Sequence, residues 1–161
     1  MLESNCLVTG EGLNTLGRAV SDGLEELPLI DCDVVEREPG VLTTLGQNLR
    51  RLRELESSNN AMLGDEEFTC IMLVSCGCLN VLNLRGCNGL TNAAMVPMFE
   101  NCKQLQCVDI MYCCGIGAEA HELFVLNPPM LRRVQVEQCK LSDAARMWAL
   151  NNFIEVVSYV D

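Results

Sequence analysis

The chain has 161 residues, 49% of them hydrophobic and 20% charged, and its 22 acidic and 11 basic residues give a net charge of -11. This composition argues against disorder, and no apolar run approaches the roughly 20 residues that a membrane-spanning helix requires. A negative balance of this size repels phosphate backbones and anionic lipid, so we expect neither a nucleic-acid nor a membrane partner. The length fits a single domain over residues 1–161, and the absence of a secretory signal at the first residues predicts an intracellular protein.

A repeated template, Leu-x-x-Leu-x-Leu-x-x-Cys/Asn, runs along the chain. Its copies lie at Leu2 and Asn5 (truncated); Leu24, Leu27, Leu29 and Cys32; Leu52, Leu55, Ser57 and Asn60 (imperfect); Leu79, Leu82, Leu84 and Cys87; Leu105, Val108, Ile110 and Cys113; and Leu131, Val134, Val136 and Cys139. The last residues of these copies, here called the markers, are 27, 28, 27, 26 and 26 residues apart. A period this regular predicts about six structural repeats.

Each copy predicts a short strand followed by a turn and a helix. Apolar residues at helical spacing follow the markers, and Thr91-Asn92 and Ser142-Asp143 are typical helix starts. A unit of about 26 residues cannot bury its own apolar face, so neighbouring units should stack, with the strands in one parallel sheet and the helices outside it. Residues 149–161 are expected to form a terminal strand or cap.

The eleven cysteines are explained in large part by the repeat. Cys32, Cys87, Cys113 and Cys139 are markers, where a small side chain must pack tightly or bond the turn, and we interpret all four as reduced core residues. Cys76 and Cys102 form a second periodic pair where the helix returns to the sheet. This usage favours a reducing compartment.

The repeat resembles the cysteine-containing class of leucine-rich repeats. Residues 76–92 read CGCLNVLNLRGCNGLTN and residues 102–116 read CKQLQCVDIMYCCGI, close to that class's unit. The resemblance implies an α/β fold, a right-handed solenoid or horseshoe of about six repeats of 26–28 residues. Its curved parallel sheet would lie on the concave side and its helices on the convex side.

The same class is similar to the substrate-recognition region of F-box proteins with leucine-rich repeats, the receptor subunits of cullin-type ubiquitin ligases. The resemblance implies a non-enzymatic module in the cytoplasm or nucleus that binds a protein substrate. It implies a ligase adaptor and cullin as partners where an F-box is present, and this sequence contains none. The sequence also begins in mid-repeat, so we expect a segment to precede it.

Three residues depart from the template. Ser57 replaces a core Leu and brings a hydroxyl that needs a partner, at about 2 to 5 kcal/mol if the site cannot adapt. Pro28 lies in a predicted strand of the parallel sheet, where it removes a ladder donor. Pro97 falls about six residues into a predicted helix, beyond the first turn.

Other kinds of site fit less well. Gly115-Ile116-Gly117-Ala118-Glu119-Ala120, with Glu137 20 residues after Gly117, matches a dinucleotide fingerprint, but the repeat explains the spacing without a ligand. Cys76-Gly77-Cys78 and Cys113-Cys114 lack the paired spacing of a zinc site. His121 is the one candidate base for a Cys-His nucleophile, and nothing in the sequence orients it. We therefore predict no catalytic residue, metal or cofactor.

The predicted interaction surface is the concave face of the sheet. Its outward-facing strand residues are Glu26, Pro28, Ile30, Glu54, Glu56, Ser58, Val81, Asn83, Arg85, Cys107, Asp109, Met111, Arg133, Gln135 and Glu137, with Tyr112 just beyond the row. Of these, the predicted binding residues are Glu26, Glu54, Glu56, Asn83, Arg85, Asp109, Met111, Tyr112, Arg133, Gln135 and Glu137. Acidic residues mixed with Arg, Met and Tyr suit a protein or peptide partner, and the acidic N-terminal third favours a basic segment.

Two further functions are compatible with this surface. A free-standing leucine-rich-repeat scaffold or inhibitor, similar to the ribonuclease-inhibitor class, would block a basic protein. A small-molecule sensor, similar to plant hormone receptors of the F-box type, would need a basic pocket, for which this face offers only Arg85 and Arg133.

Overall fold

The computed structural model describes residues 9–19, 23–32, 38, 41–47, 49–75, 77–127 and 129–158. The predictions for Leu2, Asn5 and Cys76 lie outside these residues. Among the described helices, none is both long enough and apolar enough to cross a membrane.

Short strands alternate with helices along the chain. The helices are α1 (Gly10–Ala19), α2 (Val41–Gly46), α3 (Asp65–Ser75), α4 (Asn92–Asn101), α5 (Ala118–Leu126) and α6 (Asp143–Asn151), with a 3-10 helix at Gln138–Lys140. The strands are β1 (Glu26–Pro28), β2 (Glu54–Glu56), β3 (Val81–Asn83), β4 (Cys107–Asp109), β5 (Arg133–Gln135) and β6 (Glu155–Val157). Residues 149–161, for which a terminal strand or cap was expected, contain the end of α6 and strand β6.

The strands form one six-stranded sheet in the order β1-β2-β3-β4-β5-β6, and every neighbouring pair is parallel. The predicted α/β class, with a parallel sheet whose strands alternate with helices, is confirmed. The central residues of the strands pair in one line across the sheet: Leu27, Leu55, Leu82, Val108, Val134 and Val156. From β1 to β5 the sheet register therefore follows the repeat of the sequence.

The core lies between the sheet and the helices. The central strand residues from Leu27 to Val134 are buried, and they belong to one cluster with helix residues such as Phe68, Met95 and Phe124. Phe99 and Phe124 from neighbouring helices make an edge-to-face contact with 4.9 Å between ring centroids. Because each strand turns its central residue to the helices, its two flanking residues face the opposite side.

The two predicted helix starts are confirmed. Thr91 is the N-cap of α4, where its hydroxyl accepts the N–H of Ala93 at 3.2 Å, and Ser142 caps α6 by accepting the N–H of Ala145 at 3.2 Å. The cap of α4 is also bonded to the preceding repeat, because the N–H of Thr91 donates to Oδ1 of Asp65 at 2.7 Å. Side-chain capping thus fixes these two helix starts, and at α4 it also joins neighbouring repeats.

Pro28, which was predicted to remove a ladder donor, interrupts no hydrogen bond between β1 and β2. The N–H groups of Leu29 and Asp31 donate to β2-side carbonyls, of Glu56 at 2.6 Å and of Ser58 at 2.9 Å. Backbone groups alternate in direction along a strand, so the nitrogen of Pro28 points away from β2. Among the described strands β1 is at the edge of the sheet, and proline is tolerated on the outer side of an edge strand.

The other two departures are accommodated within their own repeats. Ser57 is buried, and its hydroxyl accepts a hydrogen bond from Nδ2 of Asn60 at 3.1 Å, so the required partner is present. Pro97 is the sixth residue of α4, as predicted, and the helix continues past it to Asn101.

Candidate interaction surface

The residues on the side of the sheet opposite the helices form a surface that we call the strand face. It consists of the first and third residues of the strands: Glu26 and Pro28, Glu54 and Glu56, Val81 and Asn83, Cys107 and Asp109, Arg133 and Gln135, and Glu155 and Val157. Glu26, Glu54, Arg133 and Glu155 are exposed, and most of the others are half-buried. The strand face is therefore accessible across the sheet.

The β1 end of the strand face carries an acidic groove of about 280 Å³. The groove is lined by Glu26, Leu27, Pro28, Glu54, Leu55, Glu56, Val81 and Asn83. Glu26 lies directly beside Glu54 in the register, and both side chains are exposed. Neither carboxylate makes an ion pair with another described residue. Like charges at paired positions destabilise a sheet, so this end of the strand face carries an uncompensated negative charge among the described residues.

Glu56 is held more firmly than the other two glutamates of the groove. Its Oε1 accepts hydrogen bonds from Nδ2 of Asn83 at 3.1 Å and from the hydroxyl of Ser58 at 3.4 Å. Asn83 in turn accepts the N–H of Arg85 with its Oδ1 at 3.0 Å, which closes a turn at the end of β3. The side chains of Glu56 and Asn83 are therefore held in place by hydrogen bonds. The carboxylates of Glu26 and Glu54 make no ion pair with the other described residues.

A second group of side chains, beside the strand face and just after β3 and β4, is arranged around Arg85. Its guanidinium lies 4.7 Å from the ring centroid of Tyr112, a cation–π contact, and its Nη1 is 3.9 Å from Oδ2 of Asp109. The same nitrogen is 3.7 Å from Sδ of Met111. The Arg85 side chain thus lies over residues of the next repeat. Because its charge is paired with Asp109, it attracts an anion only weakly.

Two predicted binding residues are buried beneath this contact. Met111 is 1% exposed and Asp109 is 7% exposed, so neither offers the open surface that the strand pattern predicted. Oδ1 of Asp109 accepts the N–H of Met111 at 2.9 Å, the same turn that Asn83 closes one repeat earlier. Burial raises the pKa of Asp109, while this hydrogen bond and Arg85 lower it. The 26-residue spacing of Asn83 and Asp109 was the sequence signal for this turn.

Tyr112 has a backbone conformation that is unusual for its residue type. The turns after β1, β2, β3 and β4 each contain a residue with positive φ, namely Asp31 (48°), Asn59 (58°), Gly86 (76°) and Tyr112 (59°). Asp, Asn and Gly adopt this region readily, whereas a bulky side chain does so rarely. The residue is 39% exposed, and its ring packs against Arg85. Tyr112 is therefore a strained and accessible aromatic residue beside the strand face.

Toward the other end of the sheet, Arg133 on β5 is exposed, and its Nε is 3.7 Å from Oε2 of Glu155 on β6. Gln135 is half-buried. Glu137 differs from the prediction, because its side chain is only 13% exposed and lies 3.4 Å from both His121 and Lys140. It belongs to the interior beside α5 more than to the strand face.

The markers form a ladder of hydrogen bonds between repeats. Nδ2 of Asn60 donates to the carbonyl of Leu29 at 2.6 Å, the thiol of Cys87 to that of Ser57 at 2.7 Å, and the thiol of Cys113 to that of Leu84 at 3.0 Å. A Cys or an Asn serves here because each is compact and can donate. Cys32, Cys87 and Cys113 are buried, as predicted.

Cys139 was predicted to be the next buried marker, and this is wrong. It is exposed, because the chain forms the 3-10 helix Gln138–Lys140 where the earlier repeats have a turn. Nζ of Lys140 makes the contact to the preceding repeat, donating to the carbonyls of Cys113 at 3.0 Å and Ile116 at 2.9 Å. Cys102, at the helix return, is disulfide-bonded.

The structure also explains the residues behind the nucleotide, zinc and nucleophile hypotheses. A Cβ on Gly115 would lie 2.2 Å from the carbonyl oxygen of Leu90, so close packing of two turns requires glycine there. Burial raises the pKa of Cys113 to about 12, which opposes a reactive thiolate. In the part of the chain that the structure describes, no three His, Cys, Asp or Glu side chains are arranged to hold a metal ion. A scan of the chain against protein-family models finds no match.

Proposed function

We propose that this chain is a leucine-rich-repeat module that binds a segment of another protein along its strand face. In this proposal the repeats form a right-handed solenoid, the strand face is its concave side and the helices are its convex side. The supporting observation is the in-register parallel sheet, which sets one row of accessible side chains from each repeat on a single face. Solenoids commonly use such a face for binding because it is extended and continuous.

The partner's chemistry follows from the acidic groove. A basic residue seated between Glu26 and Glu54 relieves the repulsion of two exposed carboxylates, and the apolar stem of a Lys or Arg packs against Pro28 and Val81. The Arg85–Tyr112 pair supplies an aromatic contact of the kind that contributes strongly to interfaces. The best partner is therefore an extended segment with basic residues at one end and apolar or aromatic residues at the other.

Neutralising the groove should weaken this binding. In a Glu26→Gln, Glu54→Gln double variant, the affinity for a synthetic Lys/Arg-rich peptide should fall about tenfold at low salt, because charge complementarity is lost at the groove. Titration calorimetry at 50 and 300 mM salt measures the effect, and the salt dependence of the variant should be shallower than that of the natural chain.

The matched control removes the same net charge elsewhere. Glu100 on α4 and Glu119 on α5 are exposed, and a Glu100→Gln, Glu119→Gln double variant should bind the peptide as the natural chain does. If both double variants weaken binding equally, the peptide responds to net charge alone and the groove is not its site.

The resemblance extends the proposal to a biological role, the substrate-recognition region of an F-box-type subunit of a cullin ubiquitin ligase. The repeats would bind and orient the substrate, and other subunits would carry out ubiquitin transfer. The full-length product, expressed in cells, should then co-purify with the ligase adaptor and cullin. Co-purification with a basic protein but with neither subunit favours a free-standing inhibitor instead, which the exposed acidic groove also supports.

A further inference from the structure

A buried polar contact links helix α5 to the turn that carries Tyr112. His121 is the fourth residue of α5, the position that Phe68 holds in α3 and Met95 in α4. Its side chain is 0% exposed. A histidine has therefore replaced an apolar residue at a core position of the repeat, where a polar ring needs partners.

The partners of His121 fix its neutral tautomer. Nδ1 lies 2.9 Å from the carbonyl oxygen of Gly117. A carbonyl oxygen only accepts, so Nδ1 carries the proton and the neutral ring presents a bare lone pair at Nε2. This Nε2 is 3.4 Å from Oε2 of Glu137, and both atoms are buried without a hydrogen bond.

Two acceptor atoms that face each other in a buried contact need a proton between them. With that proton, the contact becomes a charge-assisted hydrogen bond between Nε2 and Oε2. Without it, two lone pairs oppose each other and both atoms stay unsatisfied. Burial lowers the pKa of His121, with Gly117 and Glu137 raising it and Lys140 lowering it, so the ring is neutral at pH 7.

Glu137 connects this contact to the strand face. Its other oxygen, Oε1, accepts the backbone N–H of Tyr112 at 3.1 Å and lies 3.4 Å from Nζ of Lys140. Tyr112 is the residue with the strained backbone, and its ring supports Arg85. A shift of the Glu137 carboxylate toward His121 would weaken its hold on this turn.

We infer that His121 and Glu137 form a proton-binding switch: uptake of one proton draws the Glu137 carboxylate to His121 and loosens the turn that presents Tyr112 and Arg85. The other titratable groups that act on Glu137 are Lys140 from the 3-10 helix, Asp109 from β4 and the Cys113 thiol from the following turn. The switch itself is independent of the proposed function. Its consequence, weaker binding at the Tyr112 end of the strand face in acid, rests on that function.

The switch can be tested without a binding partner. His121 is the single histidine of the chain, so its ring resonances in a ¹H–¹⁵N NMR titration from pH 8 to 4.5 are unambiguous. The ring should be the Nδ1–H tautomer at pH 7.5 and should protonate below its ordinary pKa of 6.5. The amide resonance of Tyr112 should shift with the same midpoint, as a one-proton transition.

Two variants separate this coupling from the titration of Asp109 and other carboxylates. His121→Met places the residue of the equivalent position in α4, and the Tyr112 transition should disappear. In Glu137→Gln, the amide donates to Nε2 while its oxygen still accepts from Tyr112, so the transition should also disappear and His121 should protonate at lower pH. If His121→Met does not fold, Glu137→Gln decides alone. A Tyr112 resonance that is constant in the natural chain, or that titrates unchanged in the folded variants, would overturn the switch.

Discussion

Replacing Asn60 by Ala should destabilise the fold by about 3 to 5 kcal/mol, the largest effect expected from a single polar substitution. Asn60 is 0% exposed, and its Nδ2 donates to the carbonyl of Leu29 and to the hydroxyl of Ser57. Its Oδ1 accepts the N–H of Cys32 at 2.9 Å. Alanine would leave these buried groups without their partner in a site that water cannot easily enter. Urea unfolding, followed by circular dichroism, measures the free-energy change.

Two comparison variants identify the cause. Asn60→Cys introduces the residue found at the Cys87 and Cys113 markers, and because a thiol can still donate to the Leu29 carbonyl, this variant should keep a substantial part of the lost stability. Asn101→Ala removes an exposed Asn whose Nδ2 donates to the carbonyl of Pro97 at 2.8 Å, and it should change stability by less than about 1 kcal/mol. An Asn60→Ala variant as stable as Asn101→Ala would show that the marker ladder does not support the fold.

The sheet could be predicted from the sequence because its register depends on local spacing. Paired central residues are separated by the repeat length, as in Leu27 with Leu55 and Leu82 with Val108. Each strand has one residue that must be apolar, and this pattern is visible in the sequence. The pairing of Val134 with Val156 breaks the period, being 22 residues instead of 26. Phe153 there is 93% exposed, and Ile154 is buried beside it.

The interior of the candidate site could not be predicted in the same way, because it depends on long side chains that cross between repeats. Lys140 reaches back to the carbonyl of Cys113 and so replaces the contact expected of Cys139. Arg85 extends over Met111 and contributes to its burial. The spacing of the markers specifies where the backbone turns. It contains no information about which groups the end of a long side chain, such as that of Lys140 or Arg85, will contact.

Glu137 and His121 illustrate the same limit. Strand alternation placed Glu137 on the outer face, and the helical period placed His121 on α5, but neither pattern reveals that the two side chains meet. Glu137 directly precedes the 3-10 helix, and its side chain is only 13% exposed. A histidine at a helix position that holds Phe68 and Met95 in the two preceding repeats was the available signal.

The second large effect is expected in alkaline solution, where the buried marker thiols oppose ionisation. Burial raises the pKa of Cys87 to about 11 and that of Cys113 to about 12, from 9.0 in the unfolded chain. Both residues are 0% exposed. Below pH 9 the two thiols are protonated in both the folded and the unfolded chain, so their full contribution to the stability of the fold is present. Above pH 9 the unfolded chain releases these protons while the fold retains them, so stability is lost as the pH rises through 11 and 12.

At pH 10.5 the expected loss is about 2 kcal/mol for each thiol, since one pKa unit corresponds to about 1.4 kcal/mol. Lys and Tyr residues also titrate in this range, so the slope of unfolding free energy against pH between 9 and 10.5 is compared between variants. Cys87→Ala and Cys113→Ala should each make that slope shallower by about 0.7 to 0.8 of a proton. Cys78→Ala and Cys114→Ala, at exposed thiols, should leave it unchanged, because water surrounds these side chains in the folded chain as in the unfolded one. Equal slopes in all four variants would mean that the marker thiols ionise freely in the fold, and the tightly packed ladder described for them would be wrong.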